Sequence, residues 1–300
     1  MVAAPFTPMN GDCTINLAPV EKQAQWLAGN GVTGAFVCGT TGEGASLTLG
    51  ERKQVAERWQ AAAPRDLRVI VHVGHGAIGD CQALAAHAQK IGASAVASIG
   101  PTFFRAANVE QLADFCARVA ASAPGLPFYY YHIPVMTGID LPMFDFLKVA
   151  SVRIPNFAGI KFTHENLMDY ARCLNFEGGR FDILFGRDEI LLASLAMGAT
   201  GAVGSTYNYM PAIYHGVMAA FATGDMAGAR RCQAKANEVI AIMSRRGGLP
   251  AAKAMMKLVG LDCGPARAPL QNLSSDAFAS LTRELEAAGF PAQFEKGEVA

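Results

Sequence analysis

The sequence lacks several things whose absence narrows its function. It has no excess of either charge: 25 basic residues balance 25 acidic ones. A nucleic-acid-binding face needs basic surplus, so that class of partner is not expected. Its seven cysteines, at 13, 38, 81, 116, 173, 232 and 263, contain no C-x-x-C pair, and their number is odd. A disulfide framework and a cysteine zinc site are both disfavoured, and reduced thiols in a cytoplasmic protein are the expectation. The six histidines show no metal-ligand spacing, so no metal is expected. Met1-Val2-Ala3-Ala4-Pro5-Phe6 has neither the basic start nor the long apolar run of a signal peptide. No membrane span is expected either. The stretch from Ile190 to Gly224 has no Asp, Glu, Lys or Arg, but Gly198, Gly201, Gly204, Asn208 and Pro211 interrupt it.

What is present is apolar material: 51% of 300 residues, against 17% charged, enough for a large core. Strand candidates run Met1 to Phe6, Thr33 to Cys38, Arg68 to Val73, Ala93 to Ile99, Leu126 to Tyr131, Phe157 to Phe162, Phe181 to Phe185 and Ala199 to Val203. Helical segments separate them: Pro19 to Asn30, Leu49 to Ala63, Ile78 to Ile91, Val109 to Ala121, Leu141 to Val149, Asn166 to Leu174 and Ile190 to Met197. Eight strands alternating with helices, without a sequence repeat, predict an α/β fold, a (β/α)8 TIM barrel. A doubly wound open sheet is the alternative, and it is weakened because no glycine-rich dinucleotide turn follows the first strand. From Pro211 the pattern is helical only. The expected division is a catalytic barrel over 1–225 and a C-terminal helical appendage over 226–300. The first strand begins almost at Met1 and is expected to lack a few residues of its usual start and to fray.

Polar and glycine-rich groups gather at the C-terminal ends of most of these strands, the face on which barrels build active sites. Lys161 stands inside the apolar run Phe157 to Thr163. Desolvation disfavours charged amines, and a free amine attacks a ketone to form a Schiff base. Side chains alternate along a strand, so Gly159, Lys161 and Thr163 share one face. Tyr129 and Tyr131 share a face in their strand, with Tyr130 and His132 opposite. Tyr131 is therefore the expected neighbour of Lys161. The turn Gly39-Thr40-Thr41-Gly42-Glu43 offers hydroxyls and backbone N–H groups that suit a carboxylate. Asp188-Glu189 opens a helix. Ser205 lacks the setting of a nucleophile elbow, so a serine hydrolase has no support.

Three segments in this order, Gly39-Thr40-Thr41-Gly42-Glu43, Tyr131-His132-Ile133-Pro134 and Gly159-Ile160-Lys161, resemble the pyruvate-dependent class I aldolases of the dihydrodipicolinate synthase / N-acetylneuraminate lyase superfamily. The likeness spans nearly the whole chain. Phe128 to Pro134, Leu184 to Glu189, Gly198 to Asn208 and Lys253-Ala254-Met255-Met256 are most similar to the N-acetylneuraminate lyase branch, in particular its animal type. That resemblance implies reversible cleavage of N-acetylneuraminate to N-acetylmannosamine and pyruvate, with a keto acid and an amino sugar as small-molecule partners. Lys161 would form the Schiff base, so no separate cofactor is implied. Tyr131 would shuttle the proton. Thr40 and Thr41 would hold the carboxylate, with Thr41 also bonded to Tyr131. Thr163, Gly186, Asp188, Glu189 and Ser205 would bind sugar hydroxyls. A homotetramer is implied as well.

Two departures separate the chain from dihydrodipicolinate synthases. Those enzymes carry an arginine where this chain has Met136, and a tyrosine donated across subunits where it has Phe103-Phe104. Another sugar-acid aldolase or dehydratase, and a non-enzymatic pyruvate or sialate sensor, are the competing readings.

Overall fold

Alternation along the strands decides which side chains face which layer. Ala35 and Val37, Val69 and Val71, Val96, Phe128 and Tyr130, and Ile160 and Phe162 point one way, into the large core between sheet and helices. Phe36, Ile70, Ala95, Ala97 and Tyr131 point the other way and meet in a smaller inner cluster. A sheet buried on both faces needs helices outside and closure inside, which is the barrel solution.

The computed structural model describes residues 1–291. Its elements run β1 (Val2–Ala3), α1 (Val20–Gly29), β2 (Gly34–Val37), α2 (Leu49–Ala62), β3 (Arg68–His72), α3 (Ile78–Lys90), β4 (Ala95–Ser98), α4 (Val109–Ala120), β5 (Phe128–His132), α5 (Pro134–Thr137), α6 (Met143–Arg153), β6 (Phe157–Phe162), α7 (Leu167–Leu174), β7 (Asp182–Phe185), α8 (Leu191–Ala196) and β8 (Val203–Gly204). Then come α9 (Pro211–Ala222), α10 (Met226–Arg245), α11 (Leu249–Met255) and α12 (Ser275–Ala287). The strands are parallel and pair in the order β7-β6-β5-β4-β3-β2-β1-β8, and a parallel bridge from Phe185 to Ala202 closes the ring. The (β/α)8 barrel expected from the alternation is therefore the fold, with helices continuing beyond it.

Strand β1 is short but paired on both sides, Ala3 with Ala35 and Gly204, and Ala3 is fully buried. It is held by a neighbouring strand on each side. Between β5 and β6 the register steps from Phe128↔Phe157 to Tyr129↔Gly159. The bulge at Ala158 lets Phe157 and Ile160 both face the helices although their separation is odd, and it aligns Tyr131 with Lys161.

Helix starts follow their sequences. Thr48 and Glu51 form a reciprocal capping box on α2, and Asn108, Asn166, Asp225 and Ser274 cap α4, α7, α10 and α12 through their side chains. Among the described residues no helix is long and apolar enough to cross a membrane. Beyond β8, α10 lies along α9 and the chain returns to the barrel top. There Lys253 Nζ sits 2.7 Å from Glu43 Oε1, with both side chains buried. Arg267 holds Glu51 with two hydrogen bonds of 2.8 and 2.9 Å.

Candidate active site

Lys161 sits at the C-terminal end of β6, 4% exposed. Its Nζ lies 3.9 Å from the centroid of the Tyr131 ring and 4.1 Å from that of Phe36. Among the described residues no carboxylate forms an ion pair with it. Two π faces favour a cation but do not fix it as a carboxylate would, so the nitrogen remains available to the cavity. Tyr131 is its register partner on β5, as alternation requires. The Tyr131 ring also stands edge-on to Phe36, centroids 5.4 Å apart, and to His72 at 5.8 Å.

The turn after β2 is built by unusual backbone. Cys38 and Glu43 are non-glycine residues in the left-handed region, at φ 59° and 55°. Glu43 is held there by Lys253 and by the backbone N–H of Arg267, which donates to its Oε2 at 2.7 Å. At Gly44 a Cβ would stand 1.9 Å from the Cys38 carbonyl oxygen, so only glycine closes this turn. Two N–H groups, those of Thr40 and Thr41, take no acceptor among the described residues and crown the turn beside Lys161. Thr40 Oγ1 lies 3.2 Å from the Tyr131 hydroxyl. This corrects the expectation that Thr41 makes that contact. The turn presents Thr40 to β5, and Thr41, 8% exposed, has no hydrogen bond to Tyr131.

Across the cavity stands the polar set of β6, β7 and β8. Thr163 Oγ1 is buried without a partner among the described residues, and a Cβ at Gly186 would lie 1.9 Å from it. Asp188 Oδ2 accepts from the Thr206 N–H at 3.0 Å and the Thr206 hydroxyl at 2.6 Å. Asp188 Oδ1 is buried and, among the described residues, unpartnered, and a Cβ at Gly204 would stand 1.9 Å from it. Burial pushes the Asp188 carboxyl up to about 6, against the lowering effect of the Thr206 hydrogen bonds. Two glycines thus leave space in front of two polar atoms that lack partners, which is what a hydroxylated ligand would fill. Glu189 is half-exposed at the rim, 4.0 Å from Arg187, whose guanidinium also pairs with Glu165.

Every residue to which the sequence reading gave a catalytic or substrate-binding role lines one cavity of about 230 Å3: Lys161, Tyr131, Thr40, Thr41, Thr163, Gly186, Asp188, Glu189 and Ser205. Sequence reasoning missed the part of its wall that comes from beyond the barrel. Ile240 and Met243 of α10, Gly248, and Leu249 and Ala252 of α11 close one side. No polar motif marks that segment. The one signal was Gly247-Gly248 before Leu249-Pro250, a forced turn between two helices. Thr206, which holds Asp188, follows Ser205 in the sequence but was given no role there.

A closed β/α barrel with a buried lysine and a tyrosine meeting at its C-terminal mouth is the architecture of a lysine-dependent aldolase. The model of the Dihydrodipicolinate synthetase family matches residues 1–288, and the chain belongs to that family. Within it the chain is similar to the N-acetylneuraminate lyase of Gallus gallus, 42% identical over 296 residues, covering 97% of this chain and 96% of that protein. The Homo sapiens N-acetylneuraminate lyase is 41% identical over 97% of this chain and 92% of its own length. The solved Proteus mirabilis N-acetylneuraminate lyase superposes with a TM-score of 0.94 at 42% identity, over 96% of this chain and 98% of that one. These relatives are carbon–carbon lyases of the class I aldolase type, and this chain is an enzyme of that class.

Proposed function

We propose that the chain is a Schiff-base-forming aldolase that reversibly cleaves N-acetylneuraminate to N-acetylmannosamine and pyruvate. The observation that carries this reading is the meeting of Lys161 Nζ, the Tyr131–Thr40 hydroxyl pair and the free N–H groups of Thr40 and Thr41 in one cavity. The Lys161 amine adds to the keto carbon and loses water, giving a protonated imine. Tyr131, aligned by Thr40, takes the proton of the substrate hydroxyl two carbons away. The intervening C–C bond breaks, its electron pair enters the imine to give an enamine, and the aldehyde sugar departs. Protonation of the enamine and hydrolysis of the imine return pyruvate and Lys161. The Thr40–Thr41 turn holds the carboxylate through both stages.

Thr163 Oγ1 and Asp188 Oδ1 receive the sugar hydroxyls, with Glu189, Gly186 and Ser205 completing the contacts. A missing hydroxyl would leave them buried and unpaired, a strong source of discrimination. Met136, in the cavity wall, carries no charge for a second carboxylate, which opposes a dihydrodipicolinate synthase activity. No separate cofactor is needed, because the imine itself is the electron sink. The seven free thiols suit a reducing, cytoplasmic setting. Phe103 and Phe104, packed on each other and over four-fifths exposed, suit burial in a homotetramer.

Borohydride added with pyruvate tests the nucleophile. The expected product is a reduced pyruvyl adduct on Lys161 with loss of activity, and no adduct there overturns the mechanism. A panel of keto sugar acids tests the substrate: turnover of others without N-acetylneuraminate overturns the specificity.

A further inference from the structure

The same two strands carry a second cluster on their opposite face. Tyr131 and Lys161 point into the barrel, so His132 and, two residues beyond Phe162, His164 point outward. Because β5 and β6 pair His132 with Phe162, the imidazoles of His132 and His164 are diagonal neighbours, with centroids 5.6 Å apart and planes at 77°. Gly138, at φ 65°, ends α5 and turns the chain so that Asp140 joins them. A ring nitrogen from each histidine and a carboxylate oxygen of Asp140 all lie within 4.8 Å of one another. They line an outer cavity of about 310 Å3, separate from the substrate cavity, together with Leu141, Pro142 and Asn166.

Three features set this cluster apart from a chance surface group. First, His132 is 1% exposed and its Nδ1 has no hydrogen-bond partner among the described residues. Second, His164 Nδ1 lies 3.2 Å from Glu165 Oε2 and its Nε2 3.6 Å from Asp140 Oδ1. With Nδ1–H donating to Glu165, the Nε2 lone pair faces Asp140, the carboxylate–histidine arrangement that orients metal ligands. Third, the other carboxylate at this cavity is already engaged: Asp169 accepts the N–H groups of Met143 and Phe144 at 2.7 and 3.1 Å.

We propose that His132, His164 and Asp140 form a binding site for a divalent transition-metal ion of the zinc type. Two imidazoles and one carboxylate suit zinc and its neighbours, whereas magnesium and calcium prefer oxygen donors throughout. Zinc–ligand distances of about 2.0 Å require donors roughly 3.3 Å apart. Asp140, 74% exposed on the loop between α5 and α6, is the ligand with freedom to close that gap. Water completes the coordination. The ion ties this loop to the end of β6, behind Tyr131 and Thr163. Glu165, which orients His164, also pairs with Arg187 at the rim of the substrate cavity. No step of the aldol chemistry passes through the ion, so the site stands or falls independently of the proposed substrate.

The test uses the full chain, stripped with a chelator and titrated with Zn2+ alone in a calorimeter near neutral pH. One ion per chain is expected, and Co2+ substitution should give the visible absorption of a low-coordinate nitrogen and oxygen site. His164→Asn and Asp140→Asn should each weaken Zn2+ binding by about tenfold or more, and Glu165→Gln by a smaller factor. Asp140 is exposed and His164 partly so, and metal-free melting of these variants should match the parent and exclude misfolding. Absence of saturable Zn2+ binding, or parental affinity in both ligand variants, overturns the site. Calcium or magnesium binding in place of zinc does the same.

Discussion

Asp188 keeps its two carboxylate oxygens in different surroundings, and this gives the site a pH dependence. Oδ2 is fixed by Thr206, whereas Oδ1 is buried and open to the ligand. Its folded pKa, about 6, lies above the ordinary aspartate value of 3.8. Between those values the folded state binds the extra proton, so stability falls as pH rises from about 4 through about 6, on the order of 3 kcal/mol. Denaturant titrations across that range should show this loss in the parent and not in Asp188→Asn. Activity has the opposite sign. The ionised Oδ1 accepts sugar hydroxyls, so kcat/KM should fall as pH drops through about 6, and the inflection should vanish in Asp188→Asn. The threonine pair separates in another way. Thr40→Val removes the partner of Tyr131 and should lower kcat by about tenfold or more, whereas Thr41→Val should act mainly on KM for pyruvate. Single-turnover and steady-state rates on both variants decide it. Tyr131 facing Lys161 was legible in the sequence because strand parity has a period of two. Which threonine meets Tyr131 was not, because the left-handed residues Cys38 and Glu43 set the direction of that turn.

Elements with strong patterns were readable, and those made by closure were not. Strand β6 runs Phe157–Phe162, the span its apolar residues predict. The closing strand was expected over Ala199 to Val203, yet β8 is Val203–Gly204, preceded by isolated contacts of Gly201 and Ala202 with Phe185 and Val2. A ring must close where the last strand meets both the first and the seventh, and local propensity carries no information about that geometry. The one-turn helix α5 was also missed, because a turn starting at Pro134 and ending at Gly138 has no periodicity to detect. Gly159 shows how tightly one such junction is drawn. A Cβ there would stand 1.8 Å from the carbonyl oxygen of Asp182 on β7. Gly159→Ala must therefore spread β6 from β7, two residues before Lys161. The expected result is a lowered melting temperature and poor soluble yield, measured beside Gly50→Ala, whose Cβ meets nothing within 4 Å.

At the scale of the molecule the question is whether the barrel over 1–225 and the helices that follow act as two units or one. Among the described residues, the tail is tied in at three levels. It lines the substrate cavity through Met243, Leu249 and Ala252. It supplies Lys253 to Glu43 in the turn that presents Thr40 and Thr41. It clasps the start of α2 through Arg267 and Glu51, which holds the Glu51 carboxyl down to about 2. A buried ion pair adds little net stability, but removing one partner strands the other charge at a cost of about 3–5 kcal/mol. Glu43→Gln strands Lys253 at the barrel–tail junction and also loosens a left-handed turn. We therefore expect barrel and tail to unfold together in a single transition, shifted down as a whole in Glu43→Gln. Both tryptophans, Trp26 and Trp59, lie in the barrel, so their fluorescence reports that part alone. Hydrogen exchange of peptides spanning residues 249–288 reports the tail. Coincident midpoints by the two probes make the boundary at 225 one of topology only. A tail that opens well before the tryptophan signal, in the parent protein, would make it a separate unit, with the cavity wall formed by docking and not by the barrel's own folding.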